Sequence, residues 1–89
     1  MQVIWAPAAL QDVAQIHGYI ARFNPSAAER LAERLLAAGD LLVSFQNRGR
    51  LVPGGQLREL TVIYPYVIRY RVAADHVRIR RVRHGARRP

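Results

Sequence analysis

The residues most able to do chemistry are cations of a single kind. The 89-residue chain holds fourteen basic residues, six acids and three His, for a net charge of +8, and all fourteen are Arg. A guanidinium binds carboxylate or phosphate as a fixed two-pronged fork, but its pKa is too high to exchange protons near neutrality. Without Lys there is no Schiff base, no lysine general base and no phosphate-loop lysine. Gly54-Gly55 accordingly lacks the Gly-Lys-Ser/Thr ending of a phosphate loop and reads as a turn. Without Cys there are no disulfides or thiolate–metal sites. His17, His76 and His84 fall in separate segments, with no acids at metal-ligand spacing, so neither a metal nor a cofactor is expected.

The cations are unevenly placed. Residues 1–45 contain three Arg and four acids, whereas residues 46–89 contain eleven Arg and two acids. An anionic partner is implied, a nucleic acid or an acidic protein. In residues 66–72 the apolar Tyr66, Ile68, Tyr70 and Val72 alternate with Val67, Arg69 and Arg71. In residues 76–83, Val77 and Ile79 alternate with Arg78 and Arg80, and the phase then slips at Arg81, so a bulge near Arg80-Arg81 is expected to return Val82 to the core. This places Arg69, Arg71, Arg78 and Arg80 together on one sheet surface, where like charges oppose each other at some cost in stability. The face taken by Arg58 is left open, because alternation around Leu57–Tyr64 fits either side. Gly85 permits a sharp turn that would carry the tail His84-Gly85-Ala86-Arg87-Arg88-Pro89 across the same surface.

The elements that must position these groups follow from periodicity. Gln2–Ala6 reads as a short strand. Pro7 suits the first turn of a helix, and Leu10, Val13, Ile16, His17 and Ile20 supply an apolar stripe ending near Arg22. Here His17 reads as a packed histidine rather than a ligand, and Asp12 as solvated rather than catalytic. A second helix opens at Asn24-Pro25, or at Ser26 with Glu29 as a capping box, and carries Ala28, Leu31, Leu35, Ala38, Leu42 and Phe45. Gly39 weakens it locally. Residues 46–56 form a loop, and three short strands then follow at 57–64, 66–72 and 76–83 as an antiparallel meander. The expected fold is α+β, in the order β-α-α-β-β-β: an antiparallel sheet of about four strands with the N-terminal helical hairpin on one face. Residues 1–89 form one domain. An apolar content of 51% suits a globular chain, and no apolar run approaches the ~20 residues that span a bilayer. With no signal-peptide pattern, a cytoplasmic location and no membrane partner are expected.

Several short motifs, in order, resemble the RelE/ParE superfamily of type II toxin–antitoxin toxins over essentially the whole chain. They are Trp5-Ala6 before the Asp12 helix, Tyr19-Ile20, Asn24-Pro25, Gly49-Arg50, Leu57-Arg58-Glu59-Leu60, Tyr66–Val72, and Val82-Arg83-His84-Gly85-Ala86-Arg87. The resemblance implies a bacterial growth-arresting toxin held in a hetero-oligomer by a cognate acidic antitoxin of ribbon-helix-helix or similar DNA-binding type. The RelE-like branch cleaves mRNA on the ribosome; the ParE-like branch poisons DNA gyrase.

Cleavage by a ribose 2′-hydroxyl needs a base, an acid and a stabiliser of phosphoryl charge. By position, Arg58 resembles the family's catalytic strand arginine and Arg87 a phosphate-binding arginine. The loop that should carry Lys or Glu has Arg48 and Arg50, and no tyrosine follows Tyr70. His84 is the one titratable group left near the expected site. As a nuclease the chain would be metal-independent and would rely on His84, Arg58 and Arg87. The missing Lys, Glu and C-terminal Tyr make the resemblance closer to the ParE-like branch, which is the expected reading and needs no turnover. There Arg50, Arg58, Arg69, Arg71, Arg78, Arg80, Arg83 and Arg87 are contacts for gyrase and for the antitoxin. A basic nucleic-acid-binding module without toxicity is the third reading.

Overall fold

The computed structural model describes residues 1–85. Strand β1 (Gln2–Trp5) leads into helix α1 (Pro7–Ala21), helix α2 (Pro25–Asp40) and a single 3-10 turn at Leu41–Val43. Strands β2 (Arg50–Leu51), β3 (Leu57–Ile63), β4 (Tyr66–Val72) and β5 (His76–His84) complete the chain. Pro7 occupies the first turn of α1. Asn24 caps α2 by accepting the Ala27 N–H at 3.1 Å, with Pro25 behind it, while Ser26 instead accepts from Arg30.

The sheet order is β1-β5-β4-β3-β2. β3, β4 and β5 form the expected antiparallel meander, but the sheet has five strands and is mixed. β1 runs parallel to β5, with Gln2 opposite His76 and Trp5 opposite Ile79. This direction has no local signature, because the partner comes from the far end of the chain across the helical hairpin. β2 is too short to show a period; Arg50 and Leu51 pair with Glu59 and Arg58 inside what reads as loop.

Both helices pack on the side of the sheet bearing Leu60, Ile68, Tyr70, Val77, Ile79 and Val82, with Ala9, Val13, Leu35, Ala38 and Leu42 closing the core. Full burial of each larger apolar side chain contributes about 1.5–3 kcal/mol. Gly39 is required rather than merely tolerated: a Cβ there would lie 2.3 Å from Trp5 Cζ2 and 2.7 Å from Ile79 Cδ1. The glycine lets α2 settle on the Trp5 ring, whose Nε1 donates to Asp40 at 3.0 Å.

Two stripes differ from expectation. In α1 the buried positions are Ala9, Asp12 and Val13, and Leu10 is 48% exposed. A carboxylate sits in the packed face, so apolar spacing alone rotates the stripe. In α2 the helix tightens into the 3-10 turn after Asp40, which leaves Phe45 56% exposed instead of on the stripe.

Candidate functional site

The bulge in β5 lies where the phase slips. Arg69 pairs with Arg81 and Tyr70 with Ile79, so Arg80 is the extra residue and Val82 returns to the core. A second irregularity, between Thr61 and Ile63, turns Ile63 toward the core, away from the face it would share with Leu57 and Glu59 under strict alternation.

On the side away from the helices the strands present three rows. One row runs Ile4, Arg78, Arg71, Leu57. The next holds Arg69, Glu59 and Arg50, beside the bulge. The third holds Arg83, Val67 and Thr61. Thus Arg69, Arg71, Arg78, Arg80 and Arg83 do share the bare side, with Arg50 at its margin.

Their electrostatics differ. Glu59 accepts from Arg50 Nη2 at 3.0 Å and from Arg69 Nε at 3.0 Å, so its row holds an internal counter-ion that cancels one of its two positive charges. Arg71 donates to the neutral Gln56 Oε1 at 2.6 Å, which orients the guanidinium without cancelling its charge. Among the described residues no carboxylate pairs with Arg71, Arg78, Arg80 or Arg83. Gln56, Leu57, Arg71 and Arg80 line a shallow depression of about 240 Å³. Such an arrangement can hold an anion but cannot move a proton.

Arg58 is on the other side. It stands opposite the fully buried Tyr70, and its Nη1 donates to the Gly49 carbonyl at 2.7 Å. The Tyr70 hydroxyl accepts the Gly49 N–H at 2.8 Å and donates to the Gln46 carbonyl at 2.7 Å. Arg58 and Tyr70 therefore tie the loop of residues 46–49 to the sheet. The approach is so close that a Cβ on Gly49 would lie 2.8 Å from the Tyr70 oxygen. Ser44, Phe45, Gln46, Asn47 and Arg48 surround a wide, open concavity beside this loop.

His84 pairs with Tyr66 and meets its ring edge-on at 5.6 Å. Tyr66 lies four residues along β4 from Tyr70, so Arg58 and His84 are displaced by roughly 13 Å along the strands, with β4 between them. The structure does not bring these two together; Arg87 lies outside the described residues. Gly85 adopts no left-handed conformation, and its role is close approach: its N–H donates to the Pro65 carbonyl, and a Cβ would lie 3.0 Å from that oxygen. The course of the tail beyond it also lies outside the described residues.

Asp12 corrects the sequence reading. It is 7% exposed, not solvated, and accepts from Arg81 Nε at 2.8 Å, Arg81 Nη2 at 3.1 Å and the Val82 N–H at 2.9 Å. β1 ends at Trp5, and beyond it the Asp12 carboxylate of α1 supplies the acceptor for β5. The hydrogen bond from Arg81, and then the charge of Asp12, hold that guanidinium's pKa above its already high value. Two oddities signal the pair: an acid within an apolar helical stripe and an Arg out of phase in a strand.

The protein is thus of a small basic α+β class, with one sheet side covered by a helical hairpin and the other lined with guanidinium groups. The sequence model described as "ParE toxin of type II toxin-antitoxin system, parDE" matches residues 3–89. Toxin RelE2 of Caulobacter vibrioides is 51% identical over 86 residues, covering 97% of each chain. Toxin RelE1 of the same organism is 36% identical over 80 residues, covering 86% of this chain and 85% of that one. Among solved structures, one described as "Chromosomal ParDE TA system from P. aeruginosa" superposes with a TM-score of 0.84 at 23% identity, covering 94% and 95% of the two chains, and so shares the fold. The chain belongs to the ParE toxin family, within the RelE/ParE superfamily of type II toxins. Membership supports an antitoxin as its partner. Among the described residues no helix is long and apolar enough to cross a membrane.

Proposed function

We propose that this toxin is ParE-like in target: it arrests bacterial growth by poisoning DNA gyrase in the cytoplasm, and an acidic antitoxin neutralises it by docking on the bare sheet side. The observation that carries the reading is the separation of Arg58 from His84. Phosphodiester cleavage needs a proton-transfer group beside the charge-stabilising one. The Arg58 guanidinium instead holds the carbonyl of Gly49, and His84 lies against Tyr66 at the other end of β4. Binding a target demands no such pairing, and the cations Arg71, Arg78, Arg80 and Arg83 serve it as they stand.

The second reading, a RelE-like ribosome-dependent mRNA endonuclease using His84, Arg58 and Arg87, has on its side the name Toxin RelE2 borne by the 51%-identical relative. Repressible expression with two readouts separates them. Gyrase poisoning yields DNA damage, filamentation and inhibition of purified gyrase in supercoiling assays. Ribosomal A-site cuts in mRNA, abolished by His84→Ala, establish the nuclease. Salt-sensitive binding to naked nucleic acid with neither kind of arrest points to the non-toxic binding module.

A further inference from the structure

The bare side is not uniformly charged, and its two principal rows differ in kind. In one, Glu59 holds Arg50 and Arg69 from both sides. In the other, Arg71 and Arg78 stand directly opposite each other with no carboxylate paired to either among the described residues, and Arg80 adds a third cation at the rim of the depression. Like charges opposite one another in neighbouring strands destabilise a sheet. The open row also has apolar ends: Ile4 follows Arg78 on one flank and Leu57 follows Arg71 on the other, both half-buried. Three strand spacings of about 4.8 Å make the row roughly 14 Å long, the reach of four or five extended residues.

We propose that Ile4, Arg78, Arg71 and Leu57, with Arg80, form an anchoring strip for an extended protein segment that presents carboxylates flanked by apolar side chains, and that Glu59 keeps the adjacent row out of this contact. A phosphate backbone would match the cations but offers nothing to Ile4 and Leu57; a peptide carrying both kinds of side chain satisfies the whole row. Arg71, oriented by Gln56, and Arg78, its cross-strand partner, offer two guanidinium forks from neighbouring strands, which suits carboxylates. Glu59 acts as an internal counter-ion: it accepts from both Nε and Nη2 of Arg69 and from one Nη of Arg50, so an incoming carboxylate meets its negative charge on this row. The partner's identity as the antitoxin rests on the function proposed above, whereas the strip's chemistry is read from the rows themselves.

Fluorescence anisotropy on the whole protein tests this with three labelled probes of equal charge: a short Glu/Leu peptide, a Glu/Ser peptide and a thymidine oligonucleotide. The Glu/Leu peptide should bind most tightly. Arg78→Gln or Arg80→Gln should weaken it about tenfold, and Arg50→Gln by less than about twofold. Glu59→Gln, which frees two guanidiniums, should tighten it, and Leu57→Ser should weaken the Glu/Leu peptide alone. An Arg50→Gln loss equal to that of Arg78→Gln would overturn the division into rows. Tighter binding of the oligonucleotide would assign the side to nucleic acid, and equal binding of the two peptides would remove the apolar flanks from the proposal. Gyrase plays no part in these readouts, so the strip and the proposed target can fail separately.

Discussion

Arg80 and Arg81 are neighbours in the chain and opposites in the structure. Arg81 reaches Asp12 through two hydrogen bonds and closes a contact between α1 and β5. Arg80, the extra residue of the bulge, is exposed beside the depression and has no carboxylate partner among the described residues. One extra residue in a strand thus divides two identical side chains between holding the fold together and facing a partner. Arg50 and Arg69, held by Glu59, occupy the ground between. A guanidinium's role here is set by the nearest acid rather than by its own chemistry.

The strongest way to break this comparison is to equalise the two arginines. Asp12→Ala leaves the Val82 N–H and Arg81 without their acceptor and should destabilise the chain by about 2–4 kcal/mol in urea unfolding. Because the Arg81 side chain is 42% exposed and solvent screens the pair, Arg81→Ala should cost less than Asp12→Ala but measurably more than a change at position 80. Arg80→Ala should stay within about 0.5 kcal/mol. Similar losses at 80 and 81 would refute the division of labour.

Tyr70→Phe probes the covered side alone. It removes the hydroxyl that serves both Gly49 and Gln46, with an expected loss of about 1–3 kcal/mol. Hydrogen exchange should quicken in residues 46–49, while binding of acidic peptide to the bare side is retained. Arg78→Gln should go the other way, raising stability by a few tenths of a kcal/mol as its opposition to Arg71 is relieved.

The smallest effect belongs to Asp75. Its hydrogen bond with His76 is the main cause that holds its carboxyl below the ordinary aspartate pKa. A lowered carboxylate pKa gives stability that is fully present above the unfolded value and is lost as pH falls through the folded one. Asp75→Asn should therefore match the parent in strong acid and fall slightly below it toward neutral pH, by thermal unfolding across that range. The group is exposed, so any large difference would contradict this account.

Periodicity carried much of the design. The alternation of Tyr66–Val72 and of residues 76–80 put Arg69, Arg71, Arg78 and Arg80 on one side, and the slipped phase at Arg81 located the bulge, because side-chain direction in a strand is a local property of the backbone. Asn24-Pro25 marked the start of α2 for the same kind of reason. The remainder depended on which distant residues meet. The parallel seating of β1 on β5, the capture of Arg81 by Asp12, the turn of Arg58 toward Gly49 and the clamping of Arg50 and Arg69 by Glu59 all join segments far apart in the chain or across strands. Charge and hydrogen-bond pairing act over a few ångströms in space, and only the folded chain supplies those distances.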